Sequence, residues 1–242
     1  MLRQRFYVTE LAGADVLKEM QPKDKEIKRI TFMEQSQEQT ATLQVVAFNG
    51  SARKNGNTSI LLRLVLQELE QEGVATELIE MSGTTIHGCL ACRKCSTRKD
   101  GRCSQADDMG NVYIEKMAQA DGILLGSPTY VADVSPEIKA LMDRACLVSK
   151  ANGGLLRHKV GAAVVAVRRA GAIHAFDALN HFFLINEMII PGSSYWNIGI
   201  GWEPGEVEKD AEGIRTMKVL GQNMAWLLQR VAEAKMPEPV AH

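Results

Sequence analysis

The chain has 242 residues, 45% hydrophobic and 24% charged, with a formal net charge of −1, as in an ordinary globular protein. That balance gives no basic footprint for nucleic acid or an anionic membrane, and 5% aromatic residues argue against stacking platforms for single strands. No stretch is long and apolar enough to span a bilayer and residues 1–10 hold no signal-peptide core, so a reducing cytoplasm is expected. There, clustered cysteines are metal ligands or redox groups more often than disulfides.

Residues 1–41 carry mixed charge, a turn signal at Pro22 and the polar run Glu34-Gln-Ser-Gln-Glu-Gln39. They read as an arm with some helix, ending in a linker ahead of one domain over 42–242. From Thr42 the pattern alternates. Leu43–Phe48 is a short apolar run as in a buried parallel strand. Asn57 or Thr58 is placed to cap the next helix, whose apolar face (Ile60, Leu61, Leu64, Val65, Leu69) runs to Gly73. A second strand is expected over Val74–Met81, a helix from Asp107 or Asp108 to Ala120, and a third strand over Gly122–Ser127. Ser135-Pro136-Glu137 is a strong helix start. A fourth strand follows over Val160–Val167, a helix over Ala172–Ile189, a fifth strand near Tyr195–Ile200, and a long helix over Val207–Lys235. Strands alternating with helices imply an α/β fold with a parallel sheet covered on both faces. Such sheets bind ligands at the carboxyl ends of their strands. The segments that carry chemistry, 49–57, 82–106, 127–135 and 168–172, all follow strands.

Asn49-Gly-Ser-Ala-Arg-Lys-Asn-Gly-Asn57-Thr58 reads as a phosphate loop. It is not a Walker loop, because Gly50 and Gly56 stand too far apart and Asn57 occupies the place of the lysine. It is not a dinucleotide fingerprint either, since Gly50-Ser-Ala-Arg53 lacks the second glycine. What remains is Ser51, Asn57, Thr58 and Ser59 running into a helix N-terminus, where free N–H groups and the helix dipole favour a phosphate. Arg53 is placed to add a bidentate contact.

Cys89, Cys92, Cys95 and Cys103 fall within fifteen positions. Thiols at i, i+3 and i+6 suit one soft metal centre, with the fourth completing tetrahedral or cubane ligation. Four uses fit: a [4Fe–4S] cluster, zinc, a redox dithiol, or a loop that binds nothing. Arg93, Lys94, Arg98, Lys99 and Arg102 face a single acid, Asp100. These cations would offset the charge of thiolates, and would equally dock an acidic electron-transfer partner.

Residues Phe48–Thr58 resemble the FMN-phosphate loop of the NADPH-dependent FMN reductase and flavodoxin-like families. Gly126-Ser-Pro-Thr-Tyr130, with Ser135-Pro-Glu-Ile-Lys-Ala-Leu-Met-Asp-Arg144, resembles their second flavin loop and the helix after it. The cysteine run is similar to the compact motif of the iron–sulfur flavoprotein branch. The resemblance covers most of 42–230. It implies a flavodoxin-like, doubly wound sheet of five strands in the order 2-1-3-4-5. By it, Ser51, Arg53, Asn57, Thr58 and Ser59 would bind the FMN phosphate, and Ser127, Pro128, Thr129 and Tyr130 would line the ring. Arg168, Ala170 and Gly171 would approach the ring's polar edge, and Cys89, Cys92, Cys95 and Cys103 would hold a [4Fe–4S] cluster.

The function implied is an FMN-dependent oxidoreductase taking electrons from NAD(P)H or a reduced carrier and passing them on through that cluster. A cluster-free NAD(P)H:FMN or quinone reductase, and a non-enzymatic carrier or flavin-dependent regulator, are the alternatives. A homodimer or homotetramer is expected, because the helix bearing Phe176, Leu179, Phe182, Phe183, Leu184 and Met188 is apolar over more than one stripe. Cys146 is expected in the core and His87 at the surface. Tyr195, Trp196 and Trp202 are candidates for a flavin edge, the core or an interface.

Overall fold

The computed structural model describes residues 42–234, so the arm over 1–41 lies outside the described residues. Five strands, β1 (Gln44–Asn49), β2 (Ala75–Glu80), β3 (Gly122–Pro128), β4 (Val160–Val167) and β5 (Ile198–Ile200), form one sheet in the order β2-β1-β3-β4-β5. Every pairing is parallel. The order reverses between β1 and β3, and a crevice opens at their carboxyl ends as the doubly wound topology requires.

Both faces of the sheet are covered, which is why β4 is buried along its whole length and reads as an unbroken apolar run. Side chains alternate along β1. Val45 and Ala47 pack with Leu61, Leu62 and Val65 of α1 (Asn57–Gln71) and with Met217, Leu220 and Met224 of α6 (Ala211–Glu233). Val46 and Phe48 face the other way. They pack with Tyr113 and Met117 of α3 (Gly110–Gln119), Leu141 of α4 (Pro136–Ala151) and Phe183 of α5 (Ala172–Ile185). Phe48 meets Tyr113 edge to face, with centroids 5.6 Å apart, a favoured aromatic geometry.

Ser135 caps α4 as its sequence implies: its side chain accepts a hydrogen bond from Ile138 N–H, and Pro136 stands at the first helical position. Several boundaries differ from expectation. The residue before α1 is Gly56, and no side chain caps that helix, because the Asn57 amide is engaged elsewhere. The fifth strand shrinks to Ile198–Ile200. The helix expected over 172–189 stops at Ile185, since Glu187 takes a positive φ and the chain turns to place Ile189 beside Val160. The last helix is split: a 3-10 turn over Glu206–Lys209 precedes Asp210, whose carboxylate accepts from Gly213 N–H and starts α6 afresh. A short helix, α2 (Lys94–Arg98), appears unforeseen inside the cysteine loop.

Gly50 shows how tightly the two chemical loops are joined. Its N–H donates to Gly126 O at 2.8 Å, and a Cβ on it would overlap Ile138 and Ser135 at the start of α4. Gly50→Ala is therefore expected to destabilise the fold by about 1–3 kcal/mol through overpacking. The check is a lower urea midpoint at unchanged slope.

Candidate flavin cleft and cysteine loop

A cleft of about 330 Å³ opens at the carboxyl ends of β1, β3 and β4, at the low end of the range for small-molecule sites. Ser51, Arg53, Asn57 and Thr58 line it from the β1–α1 loop, and Pro128, Thr129 and Tyr130 from the end of β3. Arg168 follows β4, while Gly201 and Trp202 close the far side. The first turn of α1 faces this space with N–H groups that have no intrahelical acceptor. Two guanidiniums and a helix N-terminus give it the electrostatics of an anion site.

The phosphate loop is held from beneath by residues that carry no nucleotide signature. Asn49 Oδ1 accepts Ser51 N–H at 3.0 Å, while Asn49 Nδ2 donates to Glu80 Oε2 at 2.6 Å. Ser59 Oγ donates to the other oxygen of Glu80 at 2.7 Å. Ser59 is thus buried under the loop and does not line the cleft. Ser51 Oγ accepts Arg53 N–H at 3.1 Å, setting the turn. Ser127 is buried as well: its hydroxyl donates to Pro128 O and accepts Ser135 N–H, tying the second loop to the cap of α4. Ala170 and Gly171 line a neighbouring cleft with Ile173, Tyr195 and Trp196. A Cβ on Gly171 would nonetheless press on Ala132 and Thr129, so the turn after β4 does abut the second loop.

Asn57 has another duty. Its Oδ1 accepts from Gly205 N–H at 2.9 Å and Val207 N–H at 3.4 Å, and its Nδ2 donates to Glu203 O at 3.0 Å. The amide anchors the loop that presents Trp202. Glu206 works from the other side, its carboxylate accepting Trp202 and Glu203 N–H at 2.9 Å each. The amides of Glu203 and then Trp202 hold that carboxyl below its ordinary pKa. Trp202 in turn stacks on the Arg168 guanidinium, 4.4 Å from ring centroid to Cζ, and Arg53 donates to Trp202 O at 3.3 Å. The sequence offered Trp202 three roles, and the fold puts it in the cleft.

The cysteine loop does not stay at this sheet edge, where its position after β2 had suggested it. It runs down α4. Cys95 Sγ lies 4.0 Å from Leu147 O, about 17 Å along the helix from its start at Pro136 at a rise of about 1.5 Å per residue. Cys95 and Cys103 pack on the core, and Cys92 is exposed. All four thiols are free. Hydrogen bonding from Ser104 and from Lys94 N–H, and then the charge of Lys94, lower the Cys92 pKa. Cys146, by contrast, is pushed up by burial. Arg98 pairs with Asp100 and Arg102 with Glu115, using part of the loop's positive charge.

What fastens this loop was not legible in the cysteine pattern. Arg144 on α4 and Asp108 form an ion pair at 2.5 Å with both side chains fully buried. Arg144 also donates to His87 O at 3.2 Å and Gln105 O at 2.9 Å. Asp108 accepts His87 N–H at 2.7 Å and Gly110 N–H at 2.9 Å. Asn111 brackets the last cysteine, accepting Cys103 N–H at 2.8 Å and donating to Cys103 O and Gln105 O. A Cβ on Gly110 would collide with the Arg144 guanidinium. Burial opposes both charges. Even so, hydrogen bonding from Arg144 and from the His87 and Gly110 amides keeps the Asp108 carboxyl below its usual range. The bond to Asp108 and the charge of that carboxylate raise Arg144 above its own. One signal was available: Arg144 occupies a core position of a helix (Leu141, Ala145, Val148), and a charge there requires a buried partner.

A doubly wound sheet with an anion-binding cleft at its switch point defines the flavodoxin-like class. The model of the family described as NADPH-dependent FMN reductase matches residues 43–203. An iron-sulfur flavoprotein of Methanocaldococcus jannaschii is 35% identical over 196 residues, covering 78% of this chain and 99% of the relative. Another, from Methanosarcina thermophila, is 30% identical over 191 residues, covering 78% and 97%. The chain belongs to the NADPH-dependent FMN reductase family, in its iron–sulfur flavoprotein branch, and so to a family of oxidoreductases. Among solved structures, RosB with a bound 8-demethyl-8-formylriboflavin-5'-phosphate intermediate superposes with a TM-score of 0.61 at 15% identity, covering 79% of this chain and 81% of that one. An archaeal flavodoxin superposes at 0.51 with 15% identity, covering 78% and 99%. At such identity these two speak to the fold alone.

The residues present suit both groups that this family implies. Hydroxyls, helix-start amides and two guanidiniums match a phosphate-bearing flavin. Four free thiols on one loop match four-thiolate ligation in kind and number, although among the described residues no three Cys, His, Asp or Glu side chains converge on a single-ion site. No described helix is long and apolar enough to cross a membrane.

Asn57→Ala is expected to free the 201–207 loop while leaving α1 intact. The check is hydrogen exchange, with the Gly205 and Val207 amides exchanging about tenfold faster or more, since each lost bond contributes roughly 0.5–1.5 kcal/mol.

Proposed function

We propose that the chain is an FMN-dependent oxidoreductase of a reducing cytoplasm, accepting electrons from NAD(P)H or a reduced carrier, with Cys89, Cys92, Cys95 and Cys103 holding a [4Fe–4S] cluster. The observation that carries the flavin assignment is the cleft itself. It sits at the β1/β3 switch point and joins the start of α1 to Ser51, Thr58, Arg53 and Arg168. Ser51, Thr58 and the α1 amides would hold the phosphate, Arg53 would screen it, and Pro128 to Tyr130 with Trp202 would flank the ring. Ala170 and Gly171 would contribute by bracing the loop of Thr129. Bound FMN would supply two-electron acceptance and one-electron release.

The cluster assignment draws on the thiol set and on the names of the relatives, all called iron-sulfur flavoproteins. A homodimer or homotetramer belongs to the same proposal. Leu179, Phe182, Phe183 and Met188 turn out to be core, but Ile173, Leu184 and Ile185 leave an apolar surface on α5.

The yellow chromophore extracted from the full chain should be FMN, and finding FAD or no flavin after reconstitution would overturn the assignment. Ser51→Ala and Thr58→Ala should each weaken FMN binding by about ten- to a hundredfold, since a hydrogen bond to a charged group contributes roughly 1.5–3 kcal/mol. Turnover of NAD(P)H with artificial acceptors separates an enzyme from a passive carrier.

A further inference from the structure

We propose that Arg144 and Asp108 are positioning residues for the cysteine loop: together they clamp both of its ends to α4, and the Nε–H of Arg144 is the donor that Cys103 receives once its sulfur ligates the cluster. This rests on the cluster reading above and deepens it.

The clamp is visible in the contacts. Of the groups Arg144 holds, His87 O precedes the first cysteine and Gln105 O follows the last. Asp108 grips the same entry point through His87 N–H. One guanidinium therefore closes the segment 87–105 from two sides, a task suited to its rigid fork and closed to a lysine, whose ammonium is a single point charge. Gly110 is the residue that lets the fork lie flat.

The donor is visible as an excess. Arg144 is the largest fully buried side chain among the described residues, 1% exposed. Its Nη groups are satisfied, yet its Nε–H has no partner among the described residues. An orphaned buried donor on a charged group is costly and calls for an acceptor. Asn111 ties Cys103 to the carbonyl that Arg144 holds: it accepts Cys103 N–H and donates to both Cys103 O and Gln105 O, which brings the last cysteine next to the guanidinium. A neutral thiol is a weak acceptor. A sulfur that ligates a metal is a stronger one, so a cluster held by Cys103 would give the orphan its acceptor. Hydrogen bonds to cluster sulfurs tune reduction potentials, which gives Arg144 an effect beyond packing.

The test uses the full chain purified anaerobically as wild type, Arg144→Lys, and the double variant Asp108→Asn with Arg144→Met. The double variant removes both buried charges together and keeps one acceptor oxygen for the His87 or the Gly110 amide, so it guards against the cost of a lone buried charge. Flavin content, iron and sulfide, exchange of the 87–105 amides, and the midpoint potential are measured. The expected result is FMN retained in all three, exchange in the loop faster by about ten- to a hundredfold in both variants, and a lower potential in whatever cluster Arg144→Lys still holds. Wild-type exchange and wild-type potential in either variant would overturn the proposal. Should the wild type bind FMN but no iron, the cluster reading and the donor role fall together, and the exchange data alone decide the clamp.

Discussion

The backbone contact between Gly50 and Gly126 fixes everything chemical in this chain. It brings the ends of β1 and β3 together at the one place where strand order reverses, with the start of α4 pressed against Gly50. Two loops that are distant in sequence thereby share one wall. Ser127 and Ser135 continue the link, since a single hydroxyl joins the second loop to the cap of α4. The cleft is pre-formed because its floor is sheet and its hinges are buried hydrogen bonds, so little ordering remains for a ligand to impose.

Around that floor the polar side chains divide into those that face the cleft and those that hold them. Asn49, Ser59 and Glu80 lie beneath the phosphate loop, while Asn57 and Glu206 hold the Trp202 loop. Of these five only Asn57 also lines the cleft, and the other four need not touch a ligand for their loss to be felt at the site. The Arg168–Trp202 stack gives the cleft a charged, flat surface, a wall suited to a planar anion.

Much of the fold was readable because its signals are local. The apolar run of β4, the Ser135-Pro136 cap and the stripe on α1 each encode their own element within a few residues. What the sequence left open is what distant partners decide. A loop of hydroxyls and amides looks the same whether Asn57 meets a phosphate or the backbone of residues 203–207. The Val207–Lys235 periodicity hid the Asp210 cap, because capping alters where a helix begins and leaves its apolar spacing untouched. The Cys89–Cys103 spacing states what the loop can ligate and says nothing of where 25 residues of chain will carry it. Its destination was set by Arg144 and Asp108, 36 residues apart, a pairing that no local pattern encodes.

The most direct measurement is the iron and acid-labile sulfide content of anaerobically purified full-length protein, read beside its flavin. About four irons and matching sulfide per chain are expected, lost in Cys95→Ala while FMN stays bound. Protein that carries FMN but neither iron nor sulfide would contradict the cluster and leave a plain FMN reductase.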